Sequence, residues 1–131
     1  MIRYLLLLGL LVASATAKEP CHCSAFITVR GGEMEVHKLP TSTVHTCEDH
    51  EQCKHHCHKE FSELSGHGNL NHISSDGVTT VGQVLCYTLR FPVSGEYVFA
   101  YSRVCEGPWE WTEGQSQQRL CCDSNQVYTP C

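Results

Sequence analysis

The sequence predicts a small disulfide-rich α+β fold, in which two β-hairpins are joined to one central helix by disulfides. Three observations predict this fold. The chain contains ten cysteines behind an N-terminal stretch that is typical of secreted proteins. Cys53 and Cys57 lie about one turn apart in a segment with helical periodicity. Cys21 and Cys23 are spaced to present both sulfurs on one side of a strand.

Residues 1–17 are predicted to be a signal peptide. The stretch contains a single basic residue, Arg3, and an apolar run from Leu5 to Val12. It ends in Ala15-Thr16-Ala17, which has the small-x-small form of a cleavage site. Because the apolar run is too short to span a bilayer, no membrane span is predicted. Cleavage after Ala17 would leave residues 18–131 as a single secreted disulfide-rich domain.

The first hairpin is predicted around Gly31-Gly32, which has the composition of a two-residue turn between strands 24–30 and 33–39. This turn would place Arg30 opposite Glu33, Val29 opposite Met34, and Ile27 opposite Val36. The inward face would carry the following residues: Cys21, Cys23, Ala25, Ile27, Val29, Met34 and Val36. The positions of the cysteines and of the apolar side chains therefore predict the same buried face.

The central helix is predicted over residues 47–61 and is expected to end at Ser65-Gly66. Thr46 and Asp49 have the spacing of a capping box. At 100° per residue, one stripe of the helix contains His50, Cys53, Cys57, Phe61 and Leu64, with Cys47 at its margin. This stripe is predicted to face the core. The opposite side contains Glu48, Glu51, His55 and His58 and should face water.

The spacing of the cysteines predicts how strand and helix are joined. Cys21 and Cys23 should form disulfides with Cys53 and Cys57, in either order, because both pairs present their sulfurs at similar separations. The alternative is that each of these cysteines bonds to a different loop. The full set of predicted disulfide cysteines is Cys21, Cys23, Cys47, Cys53, Cys57, Cys86, Cys105, Cys121, Cys122 and Cys131. Adjacent Cys121 and Cys122 point apart on an extended chain, so each should have its own partner.

A second hairpin is predicted from strand 81–91, a turn at 92–95 and strand 96–105. In its second strand Tyr97, Phe99, Tyr101 and Arg103 share one face with Cys105, opposite Val98, Ala100 and Val104. The C-terminal part then carries two tryptophans and the adjacent cysteines.

Several motifs together resemble a known family. The matching pieces are Cys21-His22-Cys23-Ser24-Ala25-Phe26, Gln52-Cys53-Lys54-His55-His56-Cys57, Leu85-Cys86, Tyr97-Val98-Phe99, Trp109 with Thr112, Cys121-Cys122 and Tyr128-Thr129-Pro130-Cys131. This order resembles the arthropod secreted cysteine-rich proteins named after a follicle cell protein. The resemblance implies an extracellular protein, on a scaffold type that is also recruited into arthropod venoms. The histidine-rich helix and Trp111 are not among the features shared with this family.

The charge balance excludes some partners. The formal net charge is −5, and loss of Arg3 with the signal peptide would change it to −6. Nucleic acids and anionic membrane surfaces both require clustered Lys and Arg, and the sequence contains no such cluster.

The sequence also lacks the residue patterns of common enzymes. It contains no Gly-x-Ser-x-Gly elbow, no paired carboxylates on a predicted rigid frame and no predicted free cysteine beside a histidine. The Cys-Cys-x-x-His-Asp pattern of secreted phospholipases is also missing. We therefore expect no catalytic activity and no cofactor.

The exposed helical face offers a candidate metal site. Glu51, His55 and His58 are zinc-compatible ligands on one side of the helix. An exposed stripe provides at most three loosely held ligands, and the cysteines that could complete a site are expected to be oxidised. The favoured interpretation is a solvated polar face, and no metal residue is assigned.

Trp109 and Trp111 are the candidate partner-binding residues. They are two positions apart, so on an extended segment both side chains project to the same side, beside Glu110 and Glu113. Trp109 is expected to pack into a small core, whereas Trp111 is the better candidate for exposure.

These observations favour a secreted, non-catalytic effector that acts as a monomer and binds an extracellular protein, as a venom toxin binds a receptor or channel. Two alternatives remain open from the sequence. One is a structural or matrix-associated protein, such as an eggshell or cuticle component. The other is an extracellular metal-binding protein.

Overall fold

The computed structural model describes residues 18–131, so the predicted signal peptide, residues 1–17, lies outside the described residues. The strands are β1 (Glu19–Val29), β2 (Gly32–Lys38), β3 (Ser42–Val44), β4 (Val93–Glu96), β5 (Phe99–Val104), β6 (Glu110–Gln115), β7 (Leu120–Cys122) and β8 (Tyr128–Thr129). The helices are α1 (His50–Leu64) and α2 (Val81–Thr88). The predicted disulfide-rich α+β fold is confirmed.

The larger sheet has the strand order β2-β1-β5-β6, with β3 paired to the start of β1. All pairings in it are antiparallel. A smaller sheet has the order β4-β7-β8. Helix α1 packs against β5, β6 and β1. The main core therefore lies between α1 and the inner face of the larger sheet, where Ile27 and Ala100 are fully buried.

Two disulfides join α1 to β1, as the spacing predicts. Cys21 bonds to Cys53 and Cys23 bonds to Cys57, with Cα atoms 5.6 and 5.2 Å apart. All four cysteines are buried. The remaining bridges are Cys47–Cys105, Cys86–Cys122 and Cys121–Cys131, so all ten cysteines are oxidised and the adjacent pair has separate partners.

Helix α1 starts later than predicted, at His50 rather than Cys47. The carboxylate of Asp49 accepts a hydrogen bond from the Thr46 backbone N–H at 2.9 Å, which closes a turn ahead of the helix. Cys47 lies in this turn, where it bonds to Cys105 at the end of β5. The predicted end of α1 at Ser65-Gly66 is confirmed: the helix ends at Leu64, and Gly66 has a left-handed φ of 55°. Leu64 is 40% exposed, so the buried stripe ends at Phe61.

The predicted register of the first hairpin is wrong. The two turn residues are Arg30 and Gly31, with φ values of 49° and 78°, so Val29 pairs with Gly32 and Ile27 pairs with Met34. The turn type with two positive φ values matches the twist of a hairpin. The register differs from the predicted one by two residues, which leaves each side chain on its predicted face. Periodicity alone could not distinguish the two registers.

The predicted second hairpin is also wrong in its first strand. Residues 81–88 form α2, and β4 pairs with β7 instead of β5. The Thr80 hydroxyl accepts a hydrogen bond from the Gln83 N–H at 3.1 Å and thereby caps α2. The β-branched residues around the start of α2, Val78 to Val81, favour a strand by propensity. The Thr80 cap nevertheless starts a helix at this point. The second hairpin of the larger sheet is formed by β5 and β6.

Candidate partner-binding face

The larger sheet has an outer face, which is the side turned away from α1. In β5 the buried residues Ala100, Ser102 and Val104 alternate with partly exposed Phe99, Tyr101 and Arg103. This alternation confirms the faces that the sequence predicts for this strand. Because α1 packs on the buried side, the second set lies on the outer face.

Aromatic rings from three neighbouring segments meet on this outer face. The Phe26 ring of β1 packs edge-on against Tyr101, with ring centroids 4.9 Å apart, and against Trp109, at 5.1 Å. The Arg103 guanidinium lies 5.8 Å from the Trp109 ring, within the range of a cation–π contact. Trp109 is thus packed, as expected, but on the outer face rather than in the main core.

Trp111 extends this cluster along β6. It is paired across the strands with Tyr101 and packs edge-on against Phe99, at a centroid distance of 6.2 Å. Its indole N–H donates a hydrogen bond to the Gly114 carbonyl at 3.0 Å, so its only polar atom is already satisfied. Trp111 is nevertheless 44% exposed. We call the set Phe26, Phe99, Tyr101, Trp109 and Trp111 the aromatic face.

Sequence reasoning found only part of the aromatic face. It identified Trp109 and Trp111 and placed Phe99 and Tyr101 on a common face, but it did not connect the two pairs. Phe26 was missed because the β1–β5 pairing joins residues far apart in the chain. The available signal was the position of Phe26 between Ala25 and Ile27, both of which are predicted to face inward.

Carboxylates border the aromatic face on the β2 side. The Ser24 hydroxyl donates a hydrogen bond to Glu35, and the Thr28 hydroxyl donates one to Glu33, both at 2.8 Å. Burial within the cluster, together with the Glu33 carboxylate, raises the pKa of Tyr101. The Tyr101 phenol is therefore neutral at physiological pH and keeps its O–H as a donor.

The structure separates the two predicted acidic neighbours of Trp111. The Glu110 carboxylate is turned toward α1, 3.8 Å from the Lys54 ammonium and 3.9 Å from His50 Nδ1. Glu113 is exposed and lies in a bulge of β6, with a positive φ of 71°. Only Glu113 remains available at the border of the aromatic face.

The candidate metal ligands of α1 line a cleft that meets the aromatic face at Trp111. Glu51, His55 and His58 are exposed, as predicted. They line an open cleft of about 320 Å³ together with Lys54 and with the β6 segment 111–113. Within residues 18–131, the groups of potential ligand atoms within 4.8 Å of one another contain disulfide-bonded sulfurs, and none includes these histidines. A disulfide sulfur does not offer the thiolate that zinc requires.

We expect the double variant His55→Gln, His58→Gln to fold normally and to keep the weak zinc affinity of the parent protein. Both side chains point to solvent, and the nearby Lys54 ammonium opposes binding of a cation. Calorimetric titration with zinc would check this expectation. Micromolar zinc binding by the parent that is lost in the double variant would instead identify a metal site in this cleft.

Comparison with known protein families, with curated proteins and with solved structures finds no match for this chain.

Proposed function

We propose that this protein is a secreted, non-catalytic effector that binds an extracellular protein partner through its aromatic face. The observation that carries the proposal is Trp111, a large aromatic side chain that is 44% exposed at the end of a ring cluster. Such side chains supply a large contact area at low cost in conformational entropy and are frequent anchors of protein interfaces.

The framework behind the aromatic face supports this proposal. Strand β1 presents Phe26 outward, while Cys21 and Cys23 of the same strand are bonded inward to α1. Phe26 therefore stands on a strand that two disulfides hold in place, and the neighbouring strand β5, which carries Phe99 and Tyr101, is paired with it. A surface that is ordered before binding loses less conformational entropy when the complex forms.

The charges around the face indicate the chemistry of the partner. Glu33, Glu35 and Glu113 are exposed at its border, and the whole chain is acidic. A partner with an apolar pocket bordered by Arg or Lys would complement this arrangement. Arg103, held over Trp109, is already paired with the Glu106 carboxylate at 2.8 Å, so it does not offset the charge of these glutamates.

The general properties of the chain fit an extracellular location. All ten cysteines form disulfides, which persist in oxidising compartments. No helix within residues 18–131 is both long and apolar enough to cross a membrane. The proposed class is a diffusible monomer that acts on a receptor or channel, since the scaffold type that the sequence resembles is also recruited into arthropod venoms.

Site-specific photo-crosslinking would test the proposal without removing an aromatic anchor. A benzophenone side chain would be placed at Gln115, which is exposed and pairs with Phe99. The control position is Val78, which is 81% exposed in the loop before α2. In extracellular fluid or on intact cells, position 115 is expected to capture a discrete protein that unlabelled parent protein displaces.

Equal capture from positions 115 and 78, or none from position 115, would contradict binding through the aromatic face. Capture confined to insoluble extracellular material would favour the structural alternative, an eggshell or cuticle component, over a diffusible effector.

A further inference from the structure

An apolar pocket of about 290 Å³ lies on the opposite side of the larger sheet from the aromatic face. Its inner wall is formed by buried side chains of β1, α1, α2 and the intervening segments, namely Ala25, Leu39, Phe61, Leu70, Leu85 and Val98. Leu64, Val81 and Val84 continue this apolar wall toward the mouth. A concave, mainly apolar site of this size is at the lower end of the range for small-molecule pockets, about 300–1,000 Å³.

The inner part of the pocket offers no free polar partner. Ser65, the buried polar residue in its wall, donates its hydroxyl proton to the Phe61 carbonyl and accepts a hydrogen bond from the Gly68 N–H. Water inside such a site would lack the two to four hydrogen bonds that hold buried water. An apolar group would therefore be a better occupant of the inner part.

Polar groups are concentrated at the mouth. His37, Ser75 and Asp76 are exposed there. The Asp76 carboxylate accepts hydrogen bonds from the N–H groups of Val78 and Thr79, which fixes the loop at the rim. Hydrogen bonds from Thr79 and Val78 hold the pKa of Asp76 below its usual range, so this carboxylate is charged at neutral pH. A negative ligand group at the mouth would be repelled by it.

We propose that this pocket binds a small neutral molecule with an apolar chain and one hydrogen-bonding end, such as a medium-chain alcohol. The apolar chain would lie against the inner wall, and the polar end would remain at the mouth beside His37 and Ser75. A volume of about 290 Å³ equals that of about ten water molecules, which limits the enclosed part to on the order of ten to fifteen non-hydrogen atoms. This inference is independent of the proposed partner binding.

Titration of isotope-labelled protein with 1-octanol, followed by amide NMR shifts, would test the proposal. Saturable shifts are expected at Leu39, Leu70 and Leu85, but not at Tyr101 or Trp111 on the other side of the sheet. Octanoate has the same chain length and carries a carboxylate, and it should bind at least ten-fold more weakly. A dissociation constant below about 1 mM is expected for octanol, given the free energy that a ligand of this size can gain per atom.

Filling the pocket should remove binding. Val84→Trp places a large ring at the mouth from α2 and should weaken octanol binding at least ten-fold, whereas Val78→Trp, outside the pocket, should not. Leu64→Trp, at a rim position that is 40% exposed, is the second variant if Val84→Trp does not fold. The proposal is overturned if octanol gives no saturable shifts, if the filled variants bind like the parent, or if octanoate binds as tightly as octanol.

Discussion

Replacing Cys21, Cys23, Cys53 and Cys57 together by alanine is expected to lower the midpoint of thermal unfolding by roughly 20 °C or more. The Cys21–Cys53 disulfide closes a loop with a sequence separation of 32 residues, for which loop-closure entropy predicts a loss of about 4 kcal/mol. The Cys23–Cys57 disulfide closes the same loop a second time, so both must be removed to open it. All four sulfurs are also buried, so removal of each bridge leaves a void that costs about 1 kcal/mol more. Thermal unfolding followed by circular dichroism would measure the change.

The matched control is the double variant Cys121→Ala, Cys131→Ala. Its bridge spans only 10 residues, and Cys131 is exposed, so the expected loss is below about 3 kcal/mol and no buried void forms. The variant that lacks both β1–α1 disulfides should therefore lose clearly more stability than this control. Equal losses in the two variants would show that the β1–α1 connection has no special part in the stability of the fold.

Local sequence patterns predicted the parts of the fold that depend on local geometry. The Cys-x-Cys strand and the Cys-x-x-x-Cys helix identified the two central disulfides, since each pattern fixes the separation of its own sulfurs. The order of the bonds stayed open because either pairing satisfies both separations. The structure selects Cys21–Cys53 and Cys23–Cys57.

Other parts could not be obtained from local patterns. The hairpin register differs by two residues from the predicted one, and such a slip changes no side-chain face. In α2, apolar and β-branched residues favoured a strand, while the capping pair Thr80 and Gln83 was the overlooked helical signal. The aromatic face depends on the β1–β5 pairing, and alternation within one strand does not identify its neighbour.

Trp111→Ala is expected to weaken binding of the partner captured from position 115 by roughly 30-fold or more. A central aromatic anchor contributes about 2 kcal/mol or more to an interface, and every 1.4 kcal/mol is a tenfold change in affinity. Because Trp111 is 44% exposed and lies outside the main core, the variant should keep its fold and its five disulfides. Circular dichroism and disulfide mapping would verify that the loss is not caused by misfolding.

Glu113→Ala is the control for this variant. Glu113 is exposed two residues from Trp111, and a charge at the border of an interface mainly affects the association rate and its salt dependence. Its affinity should stay within about three-fold of the parent value, well below the effect of removing an anchor.

The dissociation constant of Trp111→Ala, measured beside the parent protein and Glu113→Ala on the same immobilised partner, tests binding through the aromatic face most directly. Our account predicts that only Trp111→Ala loses affinity, by roughly 30-fold or more, with unchanged circular dichroism. A natively folded Trp111→Ala protein that binds as tightly as the parent would contradict it, and the exposed histidine face of α1, with His55 and His58, would become the next surface to test.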